Sequence, residues 1–230
     1  FLGLYDQTGV LVHEYNPVPN AREDVAYGIR FPTLPDGVLW AAGAPLDASA
    51  VGYILPDTTP GTPNTTGQLY DGFVADTHFN VDRGVFEQSE AFDLVISTAT
   101  TGATIYYTTD GSVPGPDNPT ALVFDPASPL HIDRTSTVRA AATRPNYVPT
   151  NVDTATYLFL DDVIAQSPTG AAPPGWPSGT VNGQVFNYGM DPNIVNDPIW
   201  GPQLKAALES LPSVSLVTDL DNLFDPNTGL

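Results

Sequence analysis

The chain has 230 residues, of which 26 are acidic and 7 basic, giving a formal net charge of −19. That balance repels both a nucleic-acid backbone and an anionic membrane surface, so neither is expected as a partner, and the absence of cysteine excludes disulfides, thiolate zinc sites and thiol nucleophiles. Hydrophobic residues at 41% can fill a core, while 24 prolines and 20 glycines favour a mainly-β chain of short strands and turns over long helices.

The chain opens Phe1-Leu2-Gly3-Leu4 without an initiator Met or a basic leader, as expected of the interior of a longer precursor. Leu2 to Tyr5 and Val10 to Tyr15 flank Asp6-Gln7-Thr8-Gly9, a hairpin signal. Val25 to Phe31 and Val38 to Ala41 can continue a small sheet, punctuated by Asn16-Pro17, Pro19-Asn20 and Pro35-Asp36-Gly37. His13 and Glu14 are neighbours and so point to opposite faces of a strand, which reads as a surface histidine. Pro56 to Gly67 has the composition of a linker or extended crossing, and Asn64-Thr65-Thr66, although it fits a glycan acceptor, reads as a loop. The first segment has too few strands to close a sandwich, which leaves a face or an edge to be covered.

From Phe79 to Asp161 period-two runs alternate with Gly, Pro and Asp turns. Phe92, Leu94 and Ile96 share one parity, as do Ile105 and Tyr107, then Val138 and Ala140, then Tyr157 and Phe159. Each run can bury one face, and these nine residues are the expected core of a small β-sandwich. Asp110-Gly111 is a turn, Pro114 to Pro119 a rigid loop, and Ala121 to Phe124, Pro129 to Ile132 and Thr154 to Leu160 further strands. Asp161-Asp162 marks the edge of the module.

Ser167 to Thr180, dense in proline and glycine, predicts extended linker geometry, and Trp176, Val185-Phe186 and Tyr188-Gly189-Met190 are expected to dock on a neighbour. Pro202 to Leu211 predicts a helix with an apolar stripe of Leu204, Leu208 and Leu211, and Val214 to Val217 a strand. The expected division is therefore a partial sandwich over 1–66, a linker over 67–78, a module over 79–162, a linker over 163–199, and a helix plus strand over 200–230 that begins a further domain.

Catalytic signatures are sparse. Glu87 and Glu90 have no partner at a glycosidase-like separation, no G-x-S-x-G elbow occurs, and His13, His78 and His131 match no short zinc spacing. For hard cations, Asp219, Asp221, Asn222, Asp225 and Asn227 supply closely spaced oxygens that could suit calcium, with Asp110, Asp117 and Asn118 a second set. Solvated turns account for the same residues. Arg83, Arg139 and Arg144 stand out because bases are scarce, and Arg139, out of phase with Val138 and Ala140, should face solvent or a carboxylate of a neighbouring module.

Asp82-Arg83-Gly84-Val85-Phe86, Phe92-Asp93-Leu94, Ala103 to Ser112, Thr137 to Ala142 and Thr156 to Leu160 appear in the order of landmarks that resembles the immunoglobulin-like module at the end of chitobiases, also called the fibronectin-III-associated repeat. Leu2 to Asp6, Glu14-Tyr15, Asp24 to Gly28 and Pro60 to Asn64 resemble the end of a lamin-tail domain. Leu216 to Phe224 with Asn227-Thr228-Gly229 is similar to the opening strand of spore-coat-protein-H-like kinase domains, whose catalytic residues lie further on, so no kinase residue transfers. The resemblances imply immunoglobulin-like modules of a secreted or cell-surface multidomain bacterial protein with a non-enzymatic spacing or assembly role, its partners met through strand edges and linkers. Two alternatives stand beside it. One is a carbohydrate-binding accessory module, with Tyr106, Trp176 and Trp200 as sugar-facing rings; the other is a fragment of an enzyme whose catalytic domain follows residue 230.

Overall fold

The computed structural model describes residues 2–15, 26–29, 51–55 and 68–229. The predicted Val38–Ala41 strand, the Pro56–Gly67 linker and the Asn64-Thr65-Thr66 triplet lie outside them. The chain divides into two compact units, Phe1–Phe73 with Arg144–Val148, and Val74–Thr143 with Pro149–Leu230. Among the described residues the structure is mainly β, with several small sheets and a few short helices.

In the first unit, β1 (Leu2–Tyr5) and β2 (Leu11–Tyr15) form the antiparallel hairpin that the turn residues predict. The Asp6 carboxylate accepts from Thr8 N at 2.8 Å and Val10 N at 2.9 Å, and Gly9 takes a φ of +82°, a value that favours glycine. A second sheet has the order β3 (Ala26–Ile29), β4 (Val51–Leu55), β5 (Gln68–Tyr70), all antiparallel. β6 (Gly72–Phe73) pairs in parallel with Tyr147–Val148.

The second unit is built on strands β7 (Thr77–Phe79), β8 (Gly84–Phe86), β9 (Phe92–Leu94), β10 (Ile96–Thr98), β11 (Thr104–Thr108), β12 (Leu122–Val123), β13 (Leu130–Ile132) and β14 (Ser136–Thr143). After β15, the Tyr147–Val148 strand of the first unit, comes β16 (Asp153–Phe159). A five-stranded sheet has the order β12-β11-β14-β16-β8, antiparallel throughout except for the parallel pair β16–β8. Two further antiparallel pairs are β7–β10 and β9–β13.

The alternation read from sequence places the core. Leu94, Ile96, Ile105, Val138, Ala140, Tyr157 and Phe159 are buried, whereas Phe92 and Tyr107 are half-buried. Phe92 nevertheless packs its ring on Tyr157 at 5.1 Å and on Phe86 at 5.2 Å, bringing β9 onto the five-stranded sheet. Phe86 also stacks on Phe159 at 5.7 Å. Tyr107 meets Phe124 edge-on at 6.4 Å. On β14 the alternation is incomplete, because Ala141 is buried together with Ala140 and Ala142.

Beyond β16 the structure departs from the linker reading. The strand passes directly into α1 (Leu160–Ile164), with Asp161 and Asp162 in its first turn, where carboxylates complement the helix dipole. A hairpin of β17 (Thr180–Val181) and β18 (Gln184–Val185) follows, then α2 (Pro192–Val195), α3 (Leu204–Glu209) and α4 (Leu220–Phe224). The predicted Pro202–Leu211 helix begins as a 3-10 turn over Gly201–Gln203 and ends at Glu209. The predicted Val214–Val217 strand does not form. Among the described residues these positions have no strand to pair with, Val214 is 85% exposed, and the segment is tethered by a side-chain bond of 2.8 Å between Ser215 Oγ and Thr156 Oγ1.

Candidate functional site

A polar cluster that joins separate elements surrounds Lys205, the chain's single lysine. Helix α3 carries it to within 2.7 Å of Asp161 Oδ1 on α1 and 2.9 Å of Glu87 Oε2, just after β8. Asp161 also accepts from Gln88 N at 3.2 Å, and Gln88 Nε2 donates to the Asp133 carbonyl at 2.5 Å. The neighbouring Asp162 accepts from Thr135 N at 2.5 Å. The Lys205 ammonium holds the Asp161 carboxyl below its usual range, and the two carboxylates hold the ammonium above its own. These contacts tie α1, α3 and loops of the second unit together. Glu90 is occupied as well, accepting from Glu87 N at 2.7 Å, so the two glutamates brace a turn.

The three candidate sugar-facing rings sit on different segments of the chain. Tyr106 is half-buried on β11, and Trp200 is exposed before α3. Trp176 packs edge-on against Tyr188 at 6.0 Å and Phe224 at 5.7 Å, while Phe186 stacks near Tyr188 at 6.2 Å and meets Phe224 at 5.1 Å. No ring pairing joins Tyr106, Trp176 and Trp200 among the described residues. The Trp176–Phe186–Tyr188–Phe224 group is a partly exposed aromatic cluster, with a 2.9 Å bond from the Tyr188 hydroxyl to the Pro177 carbonyl. Beside it lies a cleft of about 620 Å³ lined by Gln166, Ser167, Pro173, Trp176, Asn187 and Tyr188, without a charged side chain.

The oxygen-rich candidates are engaged in turns. Asp219 precedes α4, Asp221 lies in its first turn, and Asn222 Nδ2 donates to Thr218 Oγ1 at 2.6 Å. Asp225 accepts from Asn227 N at 2.7 Å and Thr228 N at 2.8 Å, and those backbone donors hold its carboxyl below the ordinary range. Asp110 is lowered by its bonds from Ser112, chiefly the 2.5 Å hydroxyl bond. Asp117 is exposed, and Asn118 accepts from Thr120 N at 2.9 Å. Among the described residues no group of three or more His, Asp or Glu converges in a metal-binding arrangement.

The arginines behave differently from one another. Arg139, whose parity points it towards solvent or a neighbouring acid, meets no carboxylate among the described residues. Instead its Nη1 donates to the Gly111 carbonyl at 2.7 Å, while Nε is buried without a hydrogen-bond partner. The Asp110–Ser112 turn folds back over that strand and presents a carbonyl where an acid was anticipated. Arg144 lies 4.2 Å over the Tyr147 ring. Arg134 pairs with Asp133 at 3.1 Å. His131 Nδ1 meets Asp93 Oδ1 at 2.9 Å across β13–β9. Arg83 alone among the described arginines and lysine makes no ion pair, hydrogen bond or ring contact. It lines an open groove of about 720 Å³ with Val85, Thr156, Leu158, Val214 and Val217.

The elements thus define a mainly-β module whose polar clusters tie segments together. Residues 83–154 match the family model of the chitobiase/β-hexosaminidase C-terminal domain, which covers β8 to the start of β16. No curated protein and no solved structure gives a significant match to the chain. Among the described residues no helix is long and apolar enough to cross a membrane. Lys205 escaped the sequence reading, although a lone lysine in so acidic a chain was a signal available there.

Proposed function

We propose that the chain is a non-enzymatic structural module of a secreted or cell-surface protein, an immunoglobulin-like sandwich that holds the segment after it at a fixed position. The observation that carries this reading is Lys205, which joins α3 to both Asp161 and Glu87 of the module. Ser215 on Thr156 adds a second tether further along the chain. A module that only linked two neighbours through a flexible tail would need neither. Hydrogen exchange on the whole chain tests it. Residues 200–225 should exchange far more slowly than a free chain, and Lys205→Ala should release them while 92–159 stays protected. Random-coil exchange of 200–225 in the wild-type protein would overturn the reading.

A second reading, recognition of a neutral saccharide, has one observation in its favour. The cleft beside Trp176 combines two aromatic rings with the side chains of Gln166, Ser167 and Asn187 and no charge, the chemistry that suits uncharged hydroxylated rings. Titration with a chitin oligomer should then shift Trp fluorescence, and Trp176→Phe should remove the shift. An unchanged spectrum at saturating sugar would dismiss it.

A further inference from the structure

We infer that two copies of this chain pair through the free edge of β8, antiparallel about Val85, with each Arg83 set against the partner copy's glutamate at position 87. The inference goes beyond the structural-module reading and does not depend on the Lys205 brace. Strand β8 closes the order β12-β11-β14-β16-β8, so its backbone is paired on one side only. Among the described residues no other backbone group of the unit bonds to residues 83–86. An open edge of this kind is a template for a further strand.

Three side chains give that edge a register. Arg83, Val85 and Glu87 share one parity, and Val85, 37% exposed, stands on the outer face beside Leu158. In a two-fold antiparallel pair centred on Val85, the residue numbers opposite each other sum to a constant. Val85 therefore meets its own copy, and Arg83 meets residue 87 of the other chain, a glutamate, on both sides of the axis. Arg83 is also the one described arginine or lysine left without a partner, while the Glu87 side chain is 48% exposed beside its Lys205 contact. The opposite edge of the sheet lacks such a device. Strand β12 has Asp125 two positions after Val123 but Ala121 two before it, so no pair of opposite charges would fix a register there.

The charge of −19 on each copy opposes association, and its long-range part is screened at roughly 0.15 M salt and above. Sedimentation velocity of the full chain across concentration and salt tests the pairing. The wild-type protein should form a dimer that strengthens as salt is raised from low values. Arg83→Glu and Glu87→Arg should each weaken it about ten-fold or more, because each sets like charges face to face twice. An equimolar mixture of the two variants should associate again. The edge of the Arg83→Glu chain is then acidic at both positions and faces an edge of the Glu87→Arg chain that is basic at both. That rescue does not depend on either variant keeping the Lys205 contact. A monomer under all conditions, a dimer indifferent to Arg83→Glu, or a mixture no more associated than its components would each overturn the inference. None of those results touches the hydrogen-exchange test of the brace.

Discussion

The Tyr157 hydroxyl donates to the Val81 carbonyl at 2.9 Å, joining the last strand of the module to the loop that precedes β8, 76 positions earlier. The ring is fully buried, and burial pushes its hydroxyl up to about 12. Tyr157→Phe keeps the ring packing and leaves that carbonyl without its donor, which should cost about 1–2 kcal/mol in urea unfolding. A neutral acid with a raised folded value contributes stability below its unfolded value, about 10. That contribution is lost as the pH rises towards 12. The wild-type protein should therefore lose stability over that window more steeply than Tyr157→Phe, and parallel curves would count against the assignment.

Phe159 and Phe92 belong to one ring cluster but differ in burial. Phe159→Ala removes a fully buried ring and should cost about 3–5 kcal/mol. Phe92 is half-buried, so Phe92→Ala should cost less, about 2–3 kcal/mol, through its contacts with Phe86 and Tyr157. Chemical denaturation of the two variants side by side decides the order. If Phe92→Ala proved the more damaging, β9 would have to lie deeper in the core than the structure has it.

The Lys205 brace has a pH signature. Asp161 is depressed by the ammonium, so its contribution stands above the unfolded carboxyl value and fades as the pH falls through the lower folded one. Lys205 is raised, so its contribution is present below the unfolded amine value and fades as the pH rises through the higher folded one. Protection of residues 200–225 should accordingly be flat from about pH 5 to 9. It should decline in stronger acid or base. A midpoint near neutrality would assign the attachment to another group.

Trp176→Ala should loosen the tail locally. The variant removes two edge-on ring contacts, with Tyr188 and Phe224, each contributing about 0.5–1.5 kcal/mol. Limited proteolysis should then cut within 170–190 while the main unfolding transition stays in place. Cleavage at the wild-type rate would mean that Phe186 and Phe224 hold the segment unaided.

What could be read from the sequence was whatever repeats over short distances. The parity of Phe92, Leu94 and Ile96, and of Tyr157 and Phe159, is local, and the buried positions follow it closely. The Asp6-to-Gly9 turn was equally legible, because one carboxylate and one glycine specify it. The region after residue 160 was harder. Trp176, Phe186, Tyr188 and Phe224 meet across intervals that share no period, and the prolines and glycines between them dominate the composition. Arg139 failed for a related reason, since its partner is a backbone carbonyl in a turn, and a carbonyl leaves no mark on residue identity. Val214 to Val217 has strand propensity but no ladder, and propensity alone does not supply one.

The parallel pairing of β8 with β16 bears on how the module would carry tension. These strands lie near the two ends of the family-matched stretch, and their neighbouring backbones run in the same direction. A pull applied through Gly84 at one end and Phe159 at the other would slide them past each other along their length. Their ladder bonds would then share the load together, where an antiparallel pair pulled from its open end would part bond by bond. A module wired in this way resists stretching more than its modest strand lengths suggest, and its lifetime under load would be set by the rate of unfolding.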